Sequence, residues 1–237
     1  MSENIQSTMM QEPVIATDIQ RWNKLPLSFY RRKDVVLIAK ELIGKILVTV
    51  MDGITTAGRI VEAEAYNGPH DKAAHSYNNR RTNRTEVMFA EGGVAYVYLC
   101  YGIHQMFNIV TNEKDIPNAI LIRALEPLVG IDTMLLRSDK IMHGADLTRG
   151  PGNVAKALGI YVKHSATPLL SDEIFIADDG TNYPPDQLLA TARIGVDYAA
   201  EDALLPYRYI LKGNKYLSGK RSLNEGNKLI KTTADKL

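Results

Sequence analysis

Residues Gly58-Arg-Ile-Val-Glu-Ala-Glu-Ala-Tyr66 alternate with a period of two. That period belongs to a β-strand, in which every second side chain shares a face. Ile60, Glu62, Glu64 and Tyr66 are expected on one face, and Val61, Ala63 and Ala65 on the other. The second face is small and apolar, fit to pack on a core. The first carries two carboxylates and ends in a phenol. Alternate carboxylates on a strand stand about 6.5–7 Å apart. That approaches the spacing of inverting glycosidases, in which one acid protonates and the other activates water. A lone Glu-x-Glu more often marks a solvated strand. Tyr66 on the same face and His75, across the Gly68-Pro69 turn, shift the balance toward a site.

The neighbouring chain supplies partners for this strand. A helix is predicted over Lys33 to Gly44, with Asp34 as cap, Val35, Ile38, Ala39 and Leu42 as apolar stripe, and Gly44 as stop. Ile46 to Val50 reads as a strand and Asp52-Gly53 as the turn of a hairpin with Arg59 to Tyr66. Asn67 to Thr85 is a long polar loop of the kind that carries function. Val94 to Tyr101, Phe107 to Thr111 and Ala119 to Ala124 read as further strands. Pro127 to Arg137 reads as a helix opened by proline, and Val154 to Leu158 as a helix closed by Gly159. Arg193 to Val196 and Tyr207 to Leu211 look like late strands. No repeat or linker-like shift divides the 237 residues, so one domain is expected.

Composition excludes several classes. Charged residues are 23% and hydrophobic residues 45%, ordinary for a soluble globular chain. No run approaches the roughly 20 apolar residues of a membrane span. The first twenty residues lack a signal-peptide core. A cytoplasmic protein is expected, associated with the nucleoid if the source is prokaryotic. The single cysteine, Cys100, permits neither an internal disulfide nor a cysteine-based zinc site. The five histidines show no metal-ligand spacing, and the Pro-Cys-x-x-Cys of zinc deaminases is absent. Walker, Gly-x-Gly-x-x-Gly and Gly-x-Ser-x-Gly motifs are absent as well. Carboxylate chemistry without metal or cofactor is the expectation that remains.

The net charge of +1 hides two basic regions. Lys212 to Leu237 carries an excess of five positive charges, and Lys72 to Glu86 an excess of three. A solvated loop and tail would account for both, and so would a polyanion partner. Arg80, Arg81 and Arg84 suit phosphate contacts. Gly150-Pro-Gly152 ahead of a helix could offer backbone N–H groups to a phosphate, although a plain turn is the commoner case. The run Tyr96-Val-Tyr-Leu-Cys-Tyr101 is denser in tyrosine than a core needs. Tyr96 and Tyr98 share a face. Tyr101 has the opposite parity, and at a strand tip it could stack on bases or enter a duplex.

With these residues in view, the sequence resembles the 3-methyladenine DNA glycosylases of the alkyladenine type. The resemblance spans roughly Leu25 to Arg221 and rests on five blocks in the family's order and spacing. They are Gly58 to Tyr66, Asp71-Lys-Ala-Ala-His-Ser76, Val94 to Gly102, Leu121-Ile-Arg-Ala-Leu-Glu-Pro-Leu128 and Arg149-Gly-Pro-Gly152. It implies a single-domain α+β fold on a curved antiparallel β-sheet with surrounding helices. A loose arm is expected at residues 1–24, the glycosylase domain at 25–221 and a basic tail at 222–237.

The resemblance also implies roles. The catalytic glutamate falls on Glu64, with Arg123 near the water and the target phosphate. The base pocket falls on Tyr66, His75, Tyr98 and Asn108, the last as a screen against normal guanine. The residue that enters the duplex falls on Tyr101. Glu62 becomes a structural neighbour. The implied function is monofunctional hydrolysis of the N-glycosidic bond of alkylated purines in duplex DNA, by base flipping and a glutamate-activated water, by a monomer. A non-catalytic damage sensor and a carbohydrate hydrolase using Glu62 and Glu64 are the competing readings.

Overall fold

The period-two segment lies within a longer strand, β3 (Ile54–Tyr66), in the computed structural model, which describes residues 22–225. Among these residues nine strands make one antiparallel sheet. In chain order they are β1 (Asn23–Lys24), β2 (Ile46–Met51), β3, β4 (Ala95–Cys100), β5 (His104–Thr111), β6 (Asn118–Val129), β7 (Ile174–Asp178), β8 (Leu188–Thr191) and β9 (Arg208–Leu211). The spatial order is β1-β7-β2-β3-β6-β5-β4, and β9 joins β3 to β8. One edge of β3 pairs with β2 over Ile54 to Arg59 and with β9 over Glu62 to Glu64. The other edge pairs with β6. β3 is thus covered on both edges where its two glutamates lie.

The helices are α1 (Leu27–Tyr30), α2 (Val35–Glu41), α3 (Ile131–Ser138) and α4 (Pro151–Leu158). Asp34 caps α2, its carboxylate accepting from the Leu37 N–H at 2.9 Å. α2 packs on β3, and α4 packs on β5 and β6. Val61, Ala63 and Ala65 meet Val35, Ile38, Val154 and Leu158 in the main core, as an apolar strand face should. The opposite face of the sheet is left for the cleft.

Three expectations are corrected. Ile60 joins the main core together with Val61 and does not share the face of Glu62. The ladder slips between Ile60 and Glu62 and again between Glu62 and Ala63, leaving Val61 and then Arg123 without a partner opposite. A bulge re-aims side chains, which simple alternation does not anticipate. The helix expected from Pro127 begins only at Ile131, because β6 runs on to Val129. Pro127 sits beside another slip of the same ladder, where a strand tolerates the missing N–H. Arg193 to Val196 is irregular, and the late strand is instead Leu188–Thr191.

Most of the expected arm and tail, residues 1–21 and 226–237, lies outside the described residues. Where they overlap it, Asn23–Lys24 pairs with β7, and the Asn224 side-chain Oδ1 accepts from Arg208 Nη2 at 2.6 Å. No helix among the described residues is long and apolar enough to cross a membrane.

Gly130 joins β6 to α3 at φ +72°, and a Cβ there would collide with the Thr55 carbonyl oxygen. Gly130→Ala combines a left-handed backbone with a backbone clash. The expected loss is more than about 2 kcal/mol in urea unfolding.

Candidate active site

The register across four strands builds the site. Glu64 pairs with Leu121, Leu121 with Asn108, and Asn108 with Tyr96. Directly paired residues face the same side of a sheet, so these four form one row. Tyr66 pairs with Ala119 in the next row, and Tyr98 with Met106 on the other side. A cleft of about 630 Å³ opens over these rows. Tyr66, His75, Tyr98, Tyr101, Asn108 and Arg123 all line it, together with Tyr96 and Leu121.

Glu64 is fully buried beneath this lining. Its Oε2 accepts from the Tyr66 hydroxyl at 2.9 Å and from Arg123 Nη1 at 3.2 Å. Its Oε1 accepts from the Ile194 N–H at 2.8 Å. A carboxylate oxygen has two lone-pair sites, so Oε1 keeps one free. Burial, reinforced by the charge of Glu64, pushes the Tyr66 phenol well above its ordinary pKa, so it remains a donor.

Glu62 has no surface and no part in the cleft. Its Oε1 accepts from Arg123 Nε at 2.9 Å, Arg208 Nε at 2.7 Å and Ser218 Oγ at 2.7 Å. Its Oε2 accepts from the Ser218 N–H at 2.6 Å. Burial opposes the charge on Glu62, but Arg123 and Arg208 outweigh it and hold the carboxyl below its ordinary pKa. Arg208, Glu62, Arg123 and Glu64 therefore form a buried row of alternating sign. A sealed Glu62 cannot be one half of a glycosidase pair.

His75 is a further polar group of the cleft. Its Nδ1 lies 3.0 Å from the Tyr96 hydroxyl, and its Nε2 lies 3.3 Å from Arg84 Nη2. A guanidinium only donates. Nε2 must then accept, which assigns the proton to Nδ1. Burial, with help from Arg84 and Arg80, lowers the His75 pKa to about 4. The ring meets Tyr98 edge-on at 4.8 Å. Asn108 is fixed by Nδ2 donating to the Tyr96 and Met106 carbonyls, at 3.1 and 3.2 Å.

Tyr101 stands 92% exposed at the tip of the β4–β5 hairpin. Its φ is +50° and that of Gly102 is +74°, and the Ile103 N–H donates to the Cys100 carbonyl. Two left-handed residues closed by that bond make a type I′ turn. Tyrosine in this conformation costs about 1–2 kcal/mol. Strain of this kind collects where function needs a side chain aimed outward.

The basic residues separate. Arg84 lines the cleft, and Arg80 lines an adjoining one. Arg81 is engaged by Glu86 and Asp115 and lies over the Phe89 ring, which weighs against a free phosphate contact. Gly152 lies in the first turn of α4 beside Pro151, which lines the cleft.

Residues 28–215 match the profile of the methylpurine-DNA glycosylase family. The chain belongs to that family. Its members are DNA-repair hydrolases that act on alkylated bases, and this chain is a DNA glycosylase. Relatives bearing the name "Putative 3-methyladenine DNA glycosylase" agree with this. One from Chlamydia felis is 45% identical over 194 residues, covering 81% of this chain and 97% of the relative. Others from Clostridium botulinum and Bacillus cereus are 45% identical over 200 and 203 residues. They cover 81% and 82% of this chain, and 97% and 98% of the relatives.

Several supports of this candidate site were not singled out in the sequence. Arg193 donates to both oxygens of buried Asp71 and to the Ala65 carbonyl, and its guanidinium lies 4.9 Å from the Tyr66 ring centre. That clamp sets the position of Ile194, whose N–H holds Glu64. The available signal was an arginine inside the apolar run read as a strand. Arg208 and Ser218 carried no comparable signal, because only the fold brings them to Glu62.

Two outcomes follow from this geometry. Glu62→Gln leaves two buried guanidinium groups facing one carboxylate, and urea unfolding should show a loss of about 3–5 kcal/mol. His75 should titrate near pH 4 by NMR instead of near 6.5. Its folded pKa is depressed, so its contribution to stability is present above 6.5 and declines as pH falls toward 4.

Proposed function

We propose that this glycosylase hydrolyses the N-glycosidic bond of alkylated purines in duplex DNA, with the damaged nucleotide turned out of the helix into the cleft. The observation that carries this reading is the placement of Glu64. Its carboxylate lies under an aromatic cleft, bonded to two groups, Tyr66 and Arg123, that line the cleft. Among the described residues it is the one acid placed to serve a reacting atom there.

In this reading a water takes the free lone-pair direction of Glu64 Oε1, reached as the entering nucleotide loosens the Tyr66–Glu64 contact. Glu64 accepts a proton from that water while its oxygen bonds to C1′. The bond from C1′ to the base nitrogen breaks, and its electron pair leaves with the base. An alkylated purine such as 3-methyladenine carries positive charge, so it departs readily and favours the faces of Tyr66 and Tyr98. Arg123 offers its charge to the target phosphate and holds Glu64 in place. Asn108 cannot turn away, so a purine edge with an extra group meets a fixed obstacle.

Extrusion of a base costs a few kcal/mol. The Tyr101 ring, held outward by its turn, would fill the vacated stack and offset part of that cost. Arg80, Arg84 and the first turn of α4 at Gly152 are the proposed phosphate contacts. No lysine stands at the Glu64 position to form a Schiff base, so release of the base without strand cleavage is the expected outcome.

Glu64→Gln keeps the shape of the acid and removes its basicity. Base release from methylated duplex DNA, followed by chromatography, should fall by at least about 10²–10⁴-fold. Binding of damaged DNA should persist, which also shows that the variant is folded. Base release near the wild-type rate would show that Glu64 is not the base.

A further inference from the structure

The guanidinium of Arg84 lies where a base would have to go. Its Cζ is 4.6 Å from the centre of the Tyr98 ring, and its Nη2 is 3.3 Å from His75 Nε2. Tyr98 and His75 are both walls of the cleft. The nitrogen bonded to Arg84 is also the one free to meet a ligand, because Nδ1 of His75 is directed at Tyr96. In the free protein a cation therefore rests on one face of the aromatic lining and blocks one polar handle of the cleft.

Arg84 is otherwise exposed, on the loop before Thr85, and makes no ion pair among the described residues. Arg81 has Glu86 and Asp115, and Lys72 has Glu201, but nearby Arg84 has neutral partners, the Tyr98 ring, the His75 imidazole and the Tyr96 hydroxyl. An arginine held by weak neutral partners moves to an anion when one arrives. Space for that move exists. A second cleft of about 450 Å³, lined by Arg80 and Thr82, adjoins the first and shares His75 and Arg84 with it.

We propose that Arg84 is a place-holder for the base: it covers Tyr98 and His75 in the free enzyme and swings to a DNA phosphate as the nucleotide enters. This rests on the cleft being the base pocket. The exchange links the two events. A base without its phosphate must displace Arg84 with nothing to receive it, so free bases bind poorly. A nucleotide within DNA brings the phosphate that draws Arg84 away. The device biases the cleft against free bases, including the released product, and toward bases still attached to a backbone.

Arg84→Ala separates this role from a simple phosphate contact. Binding of free 3-methyladenine is measured by calorimetry, and binding of lesion-bearing duplex DNA by fluorescence anisotropy over a range of salt. The variant should bind the free base about five- to fiftyfold more tightly, the worth of one exposed cation–π contact and one hydrogen bond. It should bind DNA more weakly, with the salt slope reduced by about one. Arg80→Ala, which touches neither ring, should weaken DNA binding and leave free-base binding unchanged. Free-base affinity unchanged or weakened in Arg84→Ala would overturn the proposal. The wild-type protein releasing no base from methylated DNA would instead overturn the functional reading, and the calorimetry would still decide the place-holder.

Discussion

The site hangs on a buried row of four charges, Arg208, Glu62, Arg123 and Glu64. Each inner member is held by opposite charge on both sides. Burying an ion costs several kcal/mol unless attraction and hydrogen bonds replace its water. Here they do. Glu62 receives four hydrogen bonds, and Arg123 donates to two carboxylates and to the Ser218 hydroxyl. The chain of contacts runs from β9 through β3 to β6 and ends at the carboxylate under the cleft. A guanidinium offers its donors in a rigid fork, so fixing one end fixes the next. Glu62 thereby sets where Arg123 can place Glu64, although it never meets a substrate.

The same row explains the irregular ladder. A regular pairing of β3 with β6 would set Glu62 opposite Arg123, but there the two strands slip past one another. The slip frees Arg123 from ordinary cross-strand packing and turns it along β3, within reach of both glutamates. It also sends Ile60 and Val61 together into the core. The ladder is irregular where the charges concentrate.

Much of this was legible in the chain itself. Asp34 caps α2 as its side chain predicts, the helix ends at Glu41 ahead of Gly44, whose N–H turns to the Ile60 carbonyl, and the strands around the cleft follow from alternation. The blocks that marked the family place Tyr66, His75, Tyr98, Asn108 and Arg123 around one cleft and Glu64 beneath it. What stayed hidden depends on contacts distant in sequence. Pro127 looks like a helix start because proline favours that position, yet a slipped register also admits it. Arg193 to Val196 has the composition of a strand, but its arginine is drawn to Asp71 and its backbone to Glu64. Arg81 reads as one of three equivalent basic residues until Glu86 and Asp115 come within reach. Ser218 and Asn224, close to the chain's end, touch Glu62 and Arg208 only because β9 lies beside β3.

The β4–β5 hairpin carries the exposed tyrosine at its tip and two cleft residues, Tyr98 and Asn108, on its stem. Tyr101 follows Tyr98 by three residue steps along the chain, a span of roughly 10 Å. Both ends belong to one stiff piece closed by a tight turn, so the spacing between probe and pocket is built into the covalent chain. The hairpin is in effect a gauge of fixed length. In the proposed reaction, the depth to which the probe enters the duplex and the place where the displaced base comes to rest would be set by one measurement, taken from the stem. Domain closure would not be needed to match them.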